Sequence, residues 1–222
     1  MIIAEIGQNF DGCFELAKEL IQLAKDNGAD KVKFQLYDTE ALYAPDAPTR
    51  QQAWESELDK RQASYLFNYG REVVGIEVFF SVFDIERVEW CESMGVERYK
   101  VAYSQKGNME LAKAIYATCK PAMISSNGIH EVFSNDTKDL YCVPKYPAEL
   151  SDVDVDYAGN FEGFSDHFVG LDMSKIFLAM GAEIIEKHFA VDHETGVDAP
   201  WSMTPQELKE LKRWEQVCKK IL

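Results

Sequence analysis

Eight short runs rich in Val, Ile and Phe recur along the chain, separated by stretches of helical period, and this alternation limits the fold more than any other feature. Such a pattern belongs to a parallel sheet whose strands are joined by helical crossovers. The runs lie near residues 2–8, 31–37, 77–83, 98–103, 121–126, 140–146, 163–167 and 183–191. Eight units in 222 residues average about 28 residues each, near the lower size bound for a closed (β/α)8 barrel. An open doubly wound sheet competes, but no GxGxxG turn follows the first run. The expected fold is therefore α/β, a compact single-domain (β/α)8 barrel over residues 1–222.

The crossovers have their own signals. Leu16, Ala17, Leu20, Ile21, Leu23 and Ala24 form an apolar stripe that stops at Asn27-Gly28, a C-capping pair. Leu111, Ala112, Ile115, Tyr116 and Cys119 repeat the pattern before Pro121, as do Met173, Ile176, Phe177 and Met180 before Gly181. The last helix opens on Thr204-Pro205-Gln206-Glu207, a capping box with proline in the first turn, and should turn Leu208, Leu211, Trp214 and Cys218 inward. Segments 127–139 and 147–162 are too short or polar for full helices, so the outer ring should thin after strands five and six.

Charge narrows the partners. With 38 acidic against 23 basic side chains the net charge is −15, which repels nucleic acid and anionic lipid, and no long basic block offsets it. No apolar stretch approaches the roughly 20 residues of a membrane span, and Met1-Ile2-Ile3-Ala4-Glu5, with no basic region or long apolar run, is expected to enter the fold rather than act as a signal peptide. Five scattered cysteines without a CxxC pair suit a reduced, cytoplasmic setting. An anionic substrate must then find lysines placed locally.

In such a barrel, reactive groups gather at the C-terminal strand ends and the loops that follow. Glu5, Lys33 and Lys100 each sit inside an apolar strand, where a buried charge needs a partner. Any one of them could instead point out to the helix layer. Phe164-Ser165-Asp166-His167 ends strand seven and Glu186-Lys187-His188-Phe189 lies on strand eight. Two neutral imidazoles on adjacent strands can ligate one divalent ion and leave positions open; a hydrogen-bonded core histidine is the alternative for either alone. Ser125-Ser126-Asn127-Gly128 offers hydroxyls and backbone N–H groups suited to phosphate. His130 and His193 read as loop residues.

Ile3-Ala4-Glu5-Ile6-Gly7-Gln8-Asn9, Val32-Lys33-Phe34-Gln35, Tyr99-Lys100-Val101, Gly163-Phe164-Ser165-Asp166-His167 and Ile185-Glu186-Lys187-His188-Phe189 resemble, in this order, the barrel motifs of the sialic acid synthase family. Tyr146-Pro147, Asp198 and Ser202-Met203 also fall where that family has similar residues. The resemblance implies a metal-dependent barrel that condenses phosphoenolpyruvate with an N-acylated aldose such as N-acetylmannosamine, releasing phosphate and a 2-keto sugar acid. It implies His167 and His188 as ligands of Mn²⁺, or of Mg²⁺ or Co²⁺. Lys33, Lys100, Ser125 and Ser165 would bind phosphate and carboxylate, Asn9 and Asp198 would be further substrate contacts, and Glu5 would be the proton-transfer group.

The motifs depart from the family at Phe10, Tyr103, Gln105 and Pro144, where its members have His, Ser, Glu and Asn. Ser104 and Lys145 are the candidates to compensate. The resemblance covers the barrel alone, so the expectation is a chain without the family's C-terminal antifreeze-like domain, and a homodimer is the family's usual assembly. Two further readings stay open: a noncatalytic relative binding a sugar acid or partner protein, and a metal-dependent oxo-acid aldolase or lyase.

Overall fold

The computed structural model describes residues 1–128 and 136–222. Eight parallel strands close into a barrel in sequence order: β1 Ile2–Gly7, β2 Lys31–Leu36, β3 Glu77–Val82, β4 Tyr99–Val101, β5 Ala122–Ser126, β6 Thr137–Cys142, β7 Gly163–Asp166 and β8 Ile184–His188. Closure is made by β1 against β8, with Ile2 opposite Ile185 and Glu5 opposite His188. The expected (β/α)8 barrel is thus the observed one.

Strand β6 begins three residues earlier than its apolar run suggests. Thr137, Lys138 and Asp139 pair with Ala122, Met123 and Ile124 although they are polar, because they lie at the barrel's open lower rim. Tyr103, expected to end the fourth strand, instead opens a 3-10 turn over Tyr103–Gln105.

Outside the barrel run α1 (Phe14–Asp26), α2 (Thr39–Leu42), α3 (Arg50–Glu55), α4 (Lys60–Asn68), α5 (Ile85–Met94), α6 (Met109–Ala117), α7 (Val155–Ala158), α8 (Asp172–Ala179) and α9 (Pro205–Ile221). Helices α1, α6 and α8 stand where their stripes predict. The connection from β6 to β7 holds only a 3-10 turn and the four-residue α7, so the ring is thin there as expected. Much of the β5–β6 connection, with His130, lies outside the described residues. The long β2–β3 connection carries α2, α3 and α4, then a π-helical turn over Tyr69–Val74.

Helix α9 starts on the expected capping box, with Thr204 and Glu207 bonding reciprocally, an arrangement that contributes about 1 kcal/mol. Leu208, Leu211 and Cys218 are buried, but Trp214 is 38% exposed and its indole donates to the Lys175 carbonyl. Glu215 takes the inward place instead, paired with Lys212 at 2.8 Å and Lys219 at 2.6 Å. Its two lysine partners make burial of that carboxylate tolerable.

The barrel interior is stacked in layers, as strand alternation requires. Ile3, Phe79, Met123, Leu140 and Ile184 form an apolar plug. One layer higher the inward positions turn polar: Glu5, Lys33, Ser81, Lys100, Ser125, Ser165 and Glu186 are all buried. A dry floor beneath a polar layer places a site at the C-terminal mouth.

Candidate active site

Two lysines and two glutamates form the core of that layer. Lys33 Nζ lies 3.0 Å from Glu5 Oε2 and 3.6 Å from Glu186 Oε2, and donates to Ser81 Oγ at 2.6 Å. Lys100 Nζ lies 3.6 Å from Glu186 Oε1 and donates to Ser125 Oγ at 2.6 Å. Ser165 Oγ donates to Glu186 Oε1, and Gln35 Nε2 to Glu5 Oε1. All four charges point into the barrel and none toward the helices. They line a narrow cavity of about 40 Å³ together with Tyr103, Cys142, Tyr146, His167 and His188.

Burial sets their proton affinities in different directions. Burial raises the Glu5 carboxyl, and Lys33 does not fully offset it. Glu186 is held low despite its burial, because Lys100 and Lys33 both face it. Lys100 is lowered by burial, whereas Glu186 and Glu5 keep Lys33 above its ordinary value against the same burial. Burial pushes the Cys142 thiol up to about 12, so it stays protonated.

His167 and His188 stand over this layer on adjacent strand ends, ring centroids 5.8 Å apart. Burial lowers His167 to about 4 and, with His167, Lys33 and Lys187 nearby, takes His188 well below its usual value. Both rings are therefore neutral and carry lone pairs. His167 Nδ1 meets the Val143 carbonyl at 2.9 Å, which assigns the proton to Nδ1 and leaves the Nε2 lone pair to accept a hydrogen bond or bind a cation. His188 Nδ1 lies 3.3 Å from Asp198 Oδ2, yet it is buried and makes no hydrogen bond. An unsatisfied buried imidazole nitrogen beside a second neutral imidazole fits a divalent-cation site with two protein ligands. Among the described residues no group of three or more His, Cys, Asp or Glu side chains suits a metal ion.

Above the histidines the mouth widens into a space of about 550 Å³, walled by Tyr43, Phe83, Tyr103, Pro144, Tyr146 and Trp201, with Gln8, Ser104 and Asp198. The Tyr146 ring lies 4.1 Å from that of His167 and 5.9 Å from that of Trp201. Burial, with Glu5 nearby, raises Asp198 to about 7. Gly7 opens the passage between the levels: its φ is +55°, and a Cβ there would press on Gln35, Glu5 and His188.

The structure brings Glu5, Lys33, Lys100, Ser125, Ser165, His167, His188 and Asp198 to one barrel end. Asn9 is different. Its amide is consumed by the Phe189 carbonyl, Ser202 Oγ and the Asp198 N–H, so it acts by fixing the loop that carries Asp198. Gly196 permits that packing, since a Cβ there would fall 2.6 Å from Asn9. His193 lies in the same loop and faces Glu207. Phe10 packs edge-on to Phe34 in the core. Lys145 turns to Asp152 and Glu149 on the surface, while Ser104 lines the mouth.

Sequence reasoning passed over Glu186, Ser81 and Gln35 as site residues. Parity would have found two of them, since Glu186 is two residues from His188 and Gln35 two from Lys33. Ser81 is found through register, because it pairs with Lys100 across β3 and β4.

Comparison with known proteins agrees with this fold. The profile of the NeuB family matches residues 20–222. The chain is 31% identical to the N,N'-diacetyllegionaminic acid synthase of Legionella pneumophila, over 95% of this chain and 69% of the relative. It is 28% identical to the human N-acetylneuraminate-9-phosphate synthase, over 100% and 70%. A crystal structure of the N-acetylneuraminic acid synthetase from Leptospira borgpetersenii, in complex with citrate, superposes with a TM-score of 0.90 at 28% identity, covering 99% of this chain and 84% of that one. The chain belongs to the NeuB family, whose relatives here are sialic-acid-type synthases.

Proposed function

We propose that this barrel condenses phosphoenolpyruvate with an N-acylated aldose, forming a carbon–carbon bond between C3 of phosphoenolpyruvate and the aldehyde carbon. Water supplies the new keto oxygen and inorganic phosphate leaves. The observation that carries this reading is the Lys33–Lys100 pair with its serines directly beneath two neutral histidines. It sets two buried ammonium groups, held by Glu5 and Glu186, at the base of the site in a protein of net charge −15.

Lys33, Lys100, Ser125 and Ser165 bind the phosphate and carboxylate of phosphoenolpyruvate through charge-assisted hydrogen bonds. Lys100 is the freer of the two lysines, since its contacts to Glu186 are longer than the Lys33–Glu5 contact. Glu5, whose carboxyl is raised by burial, is the proton-transfer group for the acceptor oxygen as that oxygen gains charge. His167 and His188 would hold Mn²⁺, with Mg²⁺ or Co²⁺ as alternatives, which when bound supplies Lewis acidity at the aldehyde. Asp198 and the aromatic walls orient the sugar above them.

The relatives' names divide on the acceptor, one product carrying a 9-phosphate and the other none. The test of the shared reaction is phosphate release from phosphoenolpyruvate with Mn²⁺ and a panel of N-acylated aldoses. Acceptor-dependent release is the expected result, and none with any acceptor would refute the reading. Among the described residues no helix is long and apolar enough to cross a membrane.

A further inference from the structure

The deep level of the site is electrically matched before any substrate arrives. Its two ammonium groups face two carboxylates: Lys33 lies 3.0 Å from Glu5 and 3.6 Å from Glu186, and Lys100 lies 3.6 Å from Glu186. Phosphoenolpyruvate brings a carboxylate and a phosphate of about −2, so its burial calls for positive charge beyond this pair. The cavity is also too tight. Its volume of about 40 Å³ holds roughly three waters, far fewer atoms than phosphoenolpyruvate has, so a wall must give way.

Tyr103 is the wall least tied down. It lines both the deep cavity and the mouth, it is only half-buried, and its hydroxyl donates to Asn127 Oδ1 at 2.8 Å. Tyr146 also lines both levels, but it packs against the rings of His167 and Trp201. A cation lies over the face of the Tyr103 ring. Lys106 Nζ is 3.9 Å from its centroid and donates to the same Asn127 Oδ1 at 3.1 Å. Lys106 makes no ion pair among the described residues, unlike Lys187 with Asp166 and Lys145 with Asp152 and Glu149. Two donors, one of them charged, thus share one neutral acceptor on an exposed side chain. Asn127 stands two residues beyond Ser125, which receives Lys100. An ammonium bonds an anionic oxygen more strongly than an amide oxygen, so a phosphate entering beside Ser125 would draw both donors away from Asn127.

We infer that Lys106 and the Tyr103 hydroxyl form a swinging anion clamp, which leaves Asn127 and binds the substrate phosphate as it enters the deep level. The inference rests on the synthase reading for the identity of that substrate. It supplies the unmatched positive charge that the layer of Lys33, Lys100, Glu5 and Glu186 lacks, and it gives Lys106 the compensating part expected of Lys145.

The test titrates phosphoenolpyruvate by calorimetry, with Mn²⁺ present, into the full chain and into Lys106→Met, Lys106→Glu and Tyr103→Phe, with melting curves to confirm folding. Lys106→Met should bind about tenfold more weakly, the scale of one charge-assisted contact, and Lys106→Glu more weakly still. Tyr103→Phe, which loses a neutral donor, should weaken binding about threefold to tenfold. Lys145→Met removes the same charge from a surface pair and should leave affinity unchanged, which separates a direct contact from a change in overall charge. In turnover, Lys106→Met should raise KM for phosphoenolpyruvate and retain kcat. Equal affinity in wild type and Lys106→Met, or equal weakening in Lys145→Met, overturns the inference, while phosphate release with an aldose would leave the synthase reading standing. Weakened binding in Lys106→Met with no phosphate released for any acceptor sustains the inference and sinks the synthase reading alone. A wild type that neither binds nor turns over phosphoenolpyruvate overturns both.

Discussion

Asp166 and Lys187 face each other behind the barrel wall, Nζ to Oδ1 3.3 Å, with neither side chain reaching solvent. Each immediately precedes a histidine of the site, so the pair that points outward fixes the two rings that point inward. Lys187 also donates to the Phe168 carbonyl, and Asp166 accepts from the Phe168 N–H and the Ser174 hydroxyl. Lys187→Met would leave Asp166 buried without its cation and should cost about 3–5 kcal/mol in urea unfolding. A loss below about 1 kcal/mol would show that the pair does not brace β7 against β8.

The two imidazoles should behave as one cation site. Wild-type protein should gain thermal stability with Mn²⁺, by about 2.7 kcal/mol at 100 times its Kd. His167→Ala and His188→Ala should each abolish that gain. Persistence of the full shift in both variants would place the ion elsewhere.

Helix α9 carries a pH-dependent anchor. Glu215 is buried, which by itself raises a carboxyl, but Lys212, Lys219 and the Met1 ammonium hold it down at about 2. A carboxyl lowered on folding contributes stability above its unfolded value near 4.5 and loses it as pH falls from there through about 2. Glu215→Gln should therefore lose about 2 kcal/mol at pH 7, with the two proteins converging near pH 2. A difference independent of pH in denaturant titrations would contradict this.

The barrel was readable in the sequence because strands covered on both sides by protein become near-continuous apolar runs. It failed where that condition fails. Thr137 and Lys138 sit at the lower rim, half-buried, so the start of β6 carried no apolar signal. In α9 the stripe from Leu211 can step to Trp214 or Glu215 with equal helical phase. Only the lysines at 212 and 219, which lie beside residue 215 on the helix, decide for Glu215. In the site, the histidines and lysines stood out because charge is costly in a strand, while Ser81 and Gln35 did not, being cheap to place anywhere. Their roles come from register, which the sequence does not print.

The central claim is that Lys33 and Lys100 make an anion site beneath the two histidines. Calorimetric titration of phosphoenolpyruvate into the wild type and into Lys100→Met tests it most directly, with melting curves to confirm that the variant is folded. Saturable binding should be weakened about tenfold to a hundredfold in the variant, the worth of one charge-assisted hydrogen bond. Equal affinity in the two proteins, or no binding to the wild type, would contradict it.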